Sequence, residues 1–235
     1  MASQNIFEQN FVVEENVLSL ASFLADIQET SLGGSAFVGV SVEEVKKKNL
    51  YWVVMGYSFQ ITRWPLKGEK ITIATYPGQD ISFVYPRHYE VHDERGELLI
   101  QGSSLWALLD RTTHKATTPA QTGVRPPFIK KEGELPWPRS LHLEGLSFVG
   151  KRLVTSEDID FNGHLNNVRY LDFALATREK DFYEGHLPTA LLINFLAETH
   201  LGEEMSLYQG EEGRTQTYQG RVNDKNVFSL LITTR

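Results

Sequence analysis

Phe59-Gln-Ile-Thr-Arg-Trp64-Pro-Leu-Lys-Gly68-Glu69-Lys-Ile71-Thr-Ile73 aligns without gaps on Ile193-Asn-Phe-Leu-Ala-Glu198-Thr-His-Leu-Gly202-Glu203-Glu-Met205-Ser-Leu207. In each copy an apolar run leads into a Gly-Glu pair and a second apolar run leaves it. Strand, turn and strand segments resemble one another by chance, but these two fall where the order of elements around them repeats. Before the first copy, residues 7–13 predict a strand, and Leu20, Phe23, Leu24 and Ile27 have the spacing of a buried helix face. Gly33-Gly34 is expected to stop that helix. Across 51–61 every odd position is apolar, which predicts a strand with one buried face. Segments 71–75, 83–91 and 98–109 read as further strands, with Asp93-Glu-Arg-Gly96 as a hairpin connection. Around the second copy the same order returns: a strand near 151–155, a helix from about Asn166 to Tyr183, and strands at 190–199, 204–209, 216–222 and 227–233. One helix followed by antiparallel strands, twice over, is the pattern of a tandem duplication.

Between the halves Pro119, Pro126, Pro127, Pro136 and Pro138 interrupt a polar segment without periodicity. The expected organisation is therefore an N-terminal domain over 1–118, a Pro-rich linker over 119–146 and a C-terminal domain over 147–235.

Composition narrows the function. The chain has 235 residues, 41% of them hydrophobic, enough for real cores. No apolar run approaches the roughly 20 residues needed to span a bilayer, so no membrane association is expected. The first residues lack the basic then apolar pattern of a signal peptide, and a cytoplasmic address is the expectation. With no cysteine there is no disulfide, thiolate nucleophile or cysteine-ligated metal. A net charge of -7 argues against nucleic acid as a partner. There is no Gly-x-Ser-x-Gly elbow and no Gly-rich phosphate loop, and neither a cofactor nor a metal is expected. The four tryptophans, Trp52, Trp64, Trp106 and Trp137, read as core or interface aromatics, with the lining of a pocket as the alternative.

The chemistry concentrates in Asp160-Phe-Asn162-Gly-His164-Leu-Asn166-Asn167, which brings a carboxylate, an amide and an imidazole to the start of a helix. In an extended segment alternate residues share a side, so Asp160, Asn162 and His164 are expected to converge while Phe161 and Gly163 face away. Asn166 and Asn167 read as helix caps. Where the second copy has Glu198 the first has Trp64, so any chemistry belongs to the second half. His200 reads as a packed or exposed histidine. A metal site from Asp160, His164, Glu198 and His200 has suitable ligands but is not the expectation.

These segments resemble those of the acyl-acyl carrier protein thioesterases, a family with plant and bacterial members. The resemblance rests on Arg63-Trp64-Pro65-Leu66-Lys67-Gly68-Glu69 within 52–69, on Ser104-Leu-Trp106-Ala-Leu-Leu-Asp110, and most specifically on Asp158-Ile-Asp160-Phe-Asn162-Gly-His164-Leu-Asn166-Asn167. It implies an α+β fold of two tandem hot-dog domains, each a long helix wrapped by an antiparallel sheet. It also implies a catalytic set of Asp160, Asn162, His164 and Glu198, no cofactor or metal, and acyl carrier protein bearing a fatty acyl group as partner. Association into a homodimer is left open. Plant members commonly carry a cysteine after the acid, whereas this chain has Thr199, which favours water as the attacking species. In that scheme Glu198 is the general base, Asp160 orients the His164 imidazole and Asn162 binds the developing oxyanion; Asp160 and Glu198 could exchange roles. Two other readings are carried forward: a hot-dog enzyme acting on acyl-coenzyme A or dehydrating a hydroxyacyl thioester, and a non-catalytic acyl-binding module.

Overall fold

The structure is a computed structural model that describes residues 5–14, 19–130, 135–160, 162–179 and 182–235. Phe161, and Lys180 and Asp181 within the helix expected to reach Tyr183, lie outside the described residues. The chain divides into two compact units, 1–137 and 138–235. The division falls inside the Pro-rich segment. Among the described residues no helix is long and apolar enough to cross a membrane.

In the first unit, β1 (Phe7–Val12), α1 (Leu20–Phe37) and α2 (Val42–Lys46) precede β2 (Leu50–Ile61), β3 (Lys70–Pro77), β4 (Val84–Asp93) and β5 (Leu98–Asp110). The short β6 (Ala116–Thr117) and α3 (Pro119–Thr122) follow. The strands pair antiparallel in the order β1-β3-β4-β5-β2, with β6 on β5. Ser19 caps α1 by accepting from the Ser22 amide at 3.0 Å. The predicted apolar stripe then buries Phe23, Leu24 and Ile27 completely. Phe23 packs edge-on against Phe59 of β2, with ring centroids 5.0 Å apart, and against Trp64 at 5.6 Å.

Two expectations change here. The glycine pair does not stop α1, which runs through it to Phe37. A Cβ on Gly33 would lie 2.6 Å from the Phe7 ring, and one on Gly34 would lie 2.6 Å from Arg87 Nη1 and 2.7 Å from Thr75 Cγ2. Glycine sits there because the sheet side approaches the helix closely, a reason local pattern cannot reveal. The alternation along β2 also breaks: a bulge between Val54 and Gly56 leaves Met55 without a partner in the register with β5. Leu50 and Val54 are buried before it, while Tyr57, Phe59 and Ile61 are buried after it. Tyr51 is buried beside Leu50, so burial of the odd positions alone holds only after the extra residue.

In the second unit, β7 (Ser147–Leu153) leads through a 3-10 turn at Ser156–Asp158 to α4 (Asn167–Leu175) and α5 (Phe182–Gly185). Next come β8 (Pro188–Phe195), β9 (Glu204–Glu212), β10 (Thr215–Val222) and β11 (Lys225–Thr234). Their order, β8-β11-β10-β9-β7, is that of the first unit with each strand replaced by its counterpart. The long helix expected to reach Tyr183 is nine residues in α4, whose end is followed by a turn rather than by a further helical turn. β8 also stops at Phe195, short of the expected Thr199.

The duplicated stretch is superposable in its hydrogen bonds. Gly68 donates to Val13 O at 2.8 Å, and Gly202 to Val154 O at 3.0 Å. Thr62 and Arg63 both donate to Leu99 O, and Leu196 and Ala197 both donate to Val227 O. Gly68 and Gly202 adopt φ of 83° and 82°, the left-handed turn that fits glycine best. The carboxylate of Glu69 accepts from the Leu66 amide at 3.2 Å, and that of Glu203 from the His200 amide at 2.7 Å. The sequence repeat is thus a repeat of one loop, braced each time by the Glu after the glycine.

Candidate active site

Two loops of the second unit carry every predicted site residue. The first, 159–165, is closed by an Ile159–Leu165 bridge and turned by Gly163 at φ 87°. Asp160 N donates to His164 O at 2.8 Å and Gly163 N to Asp160 O at 3.1 Å. The segment is therefore curled rather than extended, and side-chain alternation does not govern it. The Asp160 carboxylate turns inward on its own loop: Oδ1 accepts from Asn162 N at 2.8 Å and His164 N at 3.3 Å. Its Oδ2 lies 3.5 Å from Asn162 Nδ2. Asp160 thus holds the backbone that presents Asn162 and His164.

The second loop, 196–203, is the repeat loop that follows β8. Leu165 N donates to Thr199 O at 2.8 Å, stitching the two loops together. This brings His164 Nε2 to 3.4 Å from Glu198 Oε2, with the side chains 27% and 35% exposed, so both remain open to solvent and substrate. Glu198 stands in a loop, not on the strand expected for it. His200, exposed, sets its ring edge-on to that of His164 with centroids 5.0 Å apart. His164, Glu198 and His200 each offer one ligand atom, all within 4.8 Å of one another. This set of two imidazoles and one carboxylate is one that could hold a divalent cation; Asp160 is not part of it.

The support beneath comes from α4. Asn166 caps it, accepting from Val168 N at 3.0 Å, as its sequence position predicts. Tyr170, buried on the first full turn, donates to Thr199 Oγ1 at 3.0 Å and lies 3.3 Å from Ala197 O. Burial pushes its phenol up to about 12. Thr199 is completely buried, so its hydroxyl is a partner for Tyr170 and is turned away from solvent. Sequence reasoning passed over Tyr170 and the bracing role of Glu203, although the paired Gly-Glu of the repeat pointed to the latter.

Two units of the same strand order, each laying an antiparallel sheet on a helix, define a duplicated α+β protein whose candidate site lies in the second unit. The family model described as the acyl-ACP thioesterase N-terminal domain matches residues 9–121, and that described as its C-terminal domain matches residues 148–230. The chain belongs to the acyl-ACP thioesterase family. Among curated proteins it is similar to the palmitoyl-acyl carrier protein thioesterase of Arabidopsis thaliana, 25% identical over 191 residues covering 72% of this chain and 46% of that one. A second such thioesterase, from Cuphea hookeriana, is 24% identical over 194 residues with the same two coverages. Both are described as chloroplastic, and the chain spans about half the length of the curated relatives it matches. Among solved structures, an acyl-ACP thioesterase from Bacteroides thetaiotaomicron has a TM-score of 0.85 at 19% identity, covering 99% of this chain and 100% of that one. The 12:0-ACP thioesterase from Umbellularia californica has a TM-score of 0.84 at 19% identity, covering 98% and 97%. The fold is the tandem hot-dog expected from the sequence.

Proposed function

We propose that this chain hydrolyses the thioester of a fatty acyl group carried on acyl carrier protein, using water activated by Glu198. The observation that carries this reading is the 3.4 Å approach of Glu198 Oε2 to His164 Nε2 at the junction of two stitched loops. A carboxylate and an imidazole that close, both solvent-accessible, can share one water and pass its protons. Glu198 takes a proton from water as the water oxygen bonds to the acyl carbon. The charge that develops on the thioester oxygen meets the amide group of Asn162, which the Asp160 carboxylate holds on the same loop as His164. As the C–S bond breaks, the proton taken up by Glu198 passes through the imidazole of His164, 3.4 Å away, to the departing sulfur, leaving free fatty acid and carrier thiol and both side chains as they began. Asp160 serves this chemistry through the loop amides it accepts from, in place of the imidazole-orienting role expected for it. Family membership supports the substrate class, and the buried Thr199 hydroxyl supports water as the attacking species.

The test is thiol release from acyl-acyl carrier proteins and the matching acyl-coenzyme A esters by wild type and Glu198→Ala. Faster release from the carrier-bound esters, lowered about a hundredfold or more by the substitution, is the expected outcome. Preference for coenzyme A esters would replace the carrier assignment, an active variant would remove Glu198 from the base role, and saturable acyl binding without release would make the protein a binding module.

A further inference from the structure

Glu198 and His164 have a third neighbour that the proposed hydrolysis does not use. His200 lies on the loop that carries Glu198 and sets its ring edge-on to that of His164, with centroids 5.0 Å apart. One ligand atom from each of His164, Glu198 and His200 lies within 4.8 Å of the other two, and His164 Nε2 and Glu198 Oε2 stand at 3.4 Å. Ligands held at about 2.0–2.2 Å around a tetrahedral zinc ion stand roughly 3.4 Å from one another. The first pair therefore already has that spacing. The His200 side chain, 55% exposed and free to turn, needs a shift of about an ångström to match it.

The loop does not require a histidine at this position. Its counterpart in the first unit has Leu66 there and is closed in the same way, with Glu69 accepting from the Leu66 amide as Glu203 accepts from the His200 amide. An exposed imidazole also adds little buried apolar surface. Glu203 has a second relation to His200, since its Oε2 lies 3.6 Å from the ring Nδ1. A carboxylate beside a ligating imidazole orients the ring and raises its basicity as a ligand. Two imidazoles and one carboxylate, open to solvent, make the donor set of a three-ligand zinc site with its fourth position free. Imidazole nitrogen suits zinc, whereas magnesium and calcium favour oxygen donors. Among the described residues no other three His, Cys, Asp or Glu side chains converge in this way.

We infer that His164, Glu198 and His200 form a zinc-binding site, and that the bound ion reversibly inhibits hydrolysis. The inhibition rests on the function proposed above: coordination takes up the Glu198 oxygen that accepts a proton from water and the His164 nitrogen that relays it to sulfur. The binding itself stands on the geometry and is measured without turnover.

The test uses the full chain, first stripped of metal with a chelator. Equilibrium dialysis against Zn²⁺ should find one ion on wild type, held about tenfold or more weakly by His200→Leu. Leucine is the residue that the first unit's loop carries in this place, so the variant is expected to fold. Turnover is followed as release of free fatty acid from acyl-acyl carrier protein, because a released thiol would itself take up zinc. Each chain is compared with its own metal-free rate. Zinc should lower the wild-type rate about tenfold or more once the site is filled, a chelator should restore it, and the same zinc concentration should spare His200→Leu. Magnesium should spare both. No zinc on wild type, equal binding by His200→Leu, or a bound ion that leaves the rate unchanged or raises it would each overturn the inference. Failure of the metal-free chain to release fatty acid would overturn the hydrolase reading and the inhibition with it, leaving the zinc site to stand or fall by dialysis.

Discussion

Glu198 and Thr199 are adjacent in sequence and opposite in environment: the carboxylate is exposed beside His164, and the hydroxyl is buried against Tyr170. If the side chain in the place of the plant cysteine took part in the chemistry, Thr199→Val would abolish thiol release. The structure predicts that this variant keeps turnover near wild type and loses about 1 kcal/mol of stability with its hydrogen bond, read by urea denaturation. Asn162→Ala should behave in the reverse manner, with kcat falling about a hundredfold and an unchanged urea midpoint, because Asn162 is exposed. The identities of these residues were legible in the sequence. What Asp160 touches was not, because alternation presumes an extended chain and the left-handed Gly163 curls this one.

The repeat loop permits a matched experiment on secondary-structure elements. Glu203 and Glu69 brace equivalent loops, one carrying Glu198 and His200 and the other carrying Trp64 and Leu66. Glu203→Ala should lower kcat while Glu69→Ala leaves the chemistry of the second unit alone and weakens stability; parallel thiol-release and urea measurements on the two variants separate the roles. Equal effects on kcat would dissociate the brace from the site. Within α1, Gly34→Ala improves helix propensity by about 1 kcal/mol. It also drives a methyl into Arg87 and Thr75, and overpacking of this kind costs about 1–3 kcal/mol. The clash is expected to win, so the variant should have a lower urea midpoint. Strand positions could be read from apolar runs because burial imposes period two. The bulge in β2 and the passage of α1 through two glycines could not, since both answer to a packing partner far along the chain.

Considered as a whole, the protein buries phenols in both units. Tyr76 in the first and Tyr170 in the second are pushed from the usual 10.0 to about 12, in each case chiefly by burial. The folded state binds these protons more tightly than the unfolded state does, so their contribution is fully present below about pH 10 and is lost as pH rises towards 12. Urea midpoints should therefore decline across that window, and Tyr170→Phe should flatten part of the decline. A midpoint constant between pH 10 and 12 would contradict the burial of these groups.

The duplication, the α+β class and the half of the chain that bears the polar constellation follow from local pattern: apolar periodicity, a Gly-Glu turn occurring twice, and a Trp in one copy where the other has Glu. Each depends on residues a few positions apart, and short-range order survives in a linear string. The approach of Glu198 to His164, the burial of Thr199 against Tyr170, and the buried Arg87 with hydroxyl partners depend on segments tens of residues apart. Those contacts come from strand register and helix packing, which place side chains to within an ångström and which no local periodicity encodes.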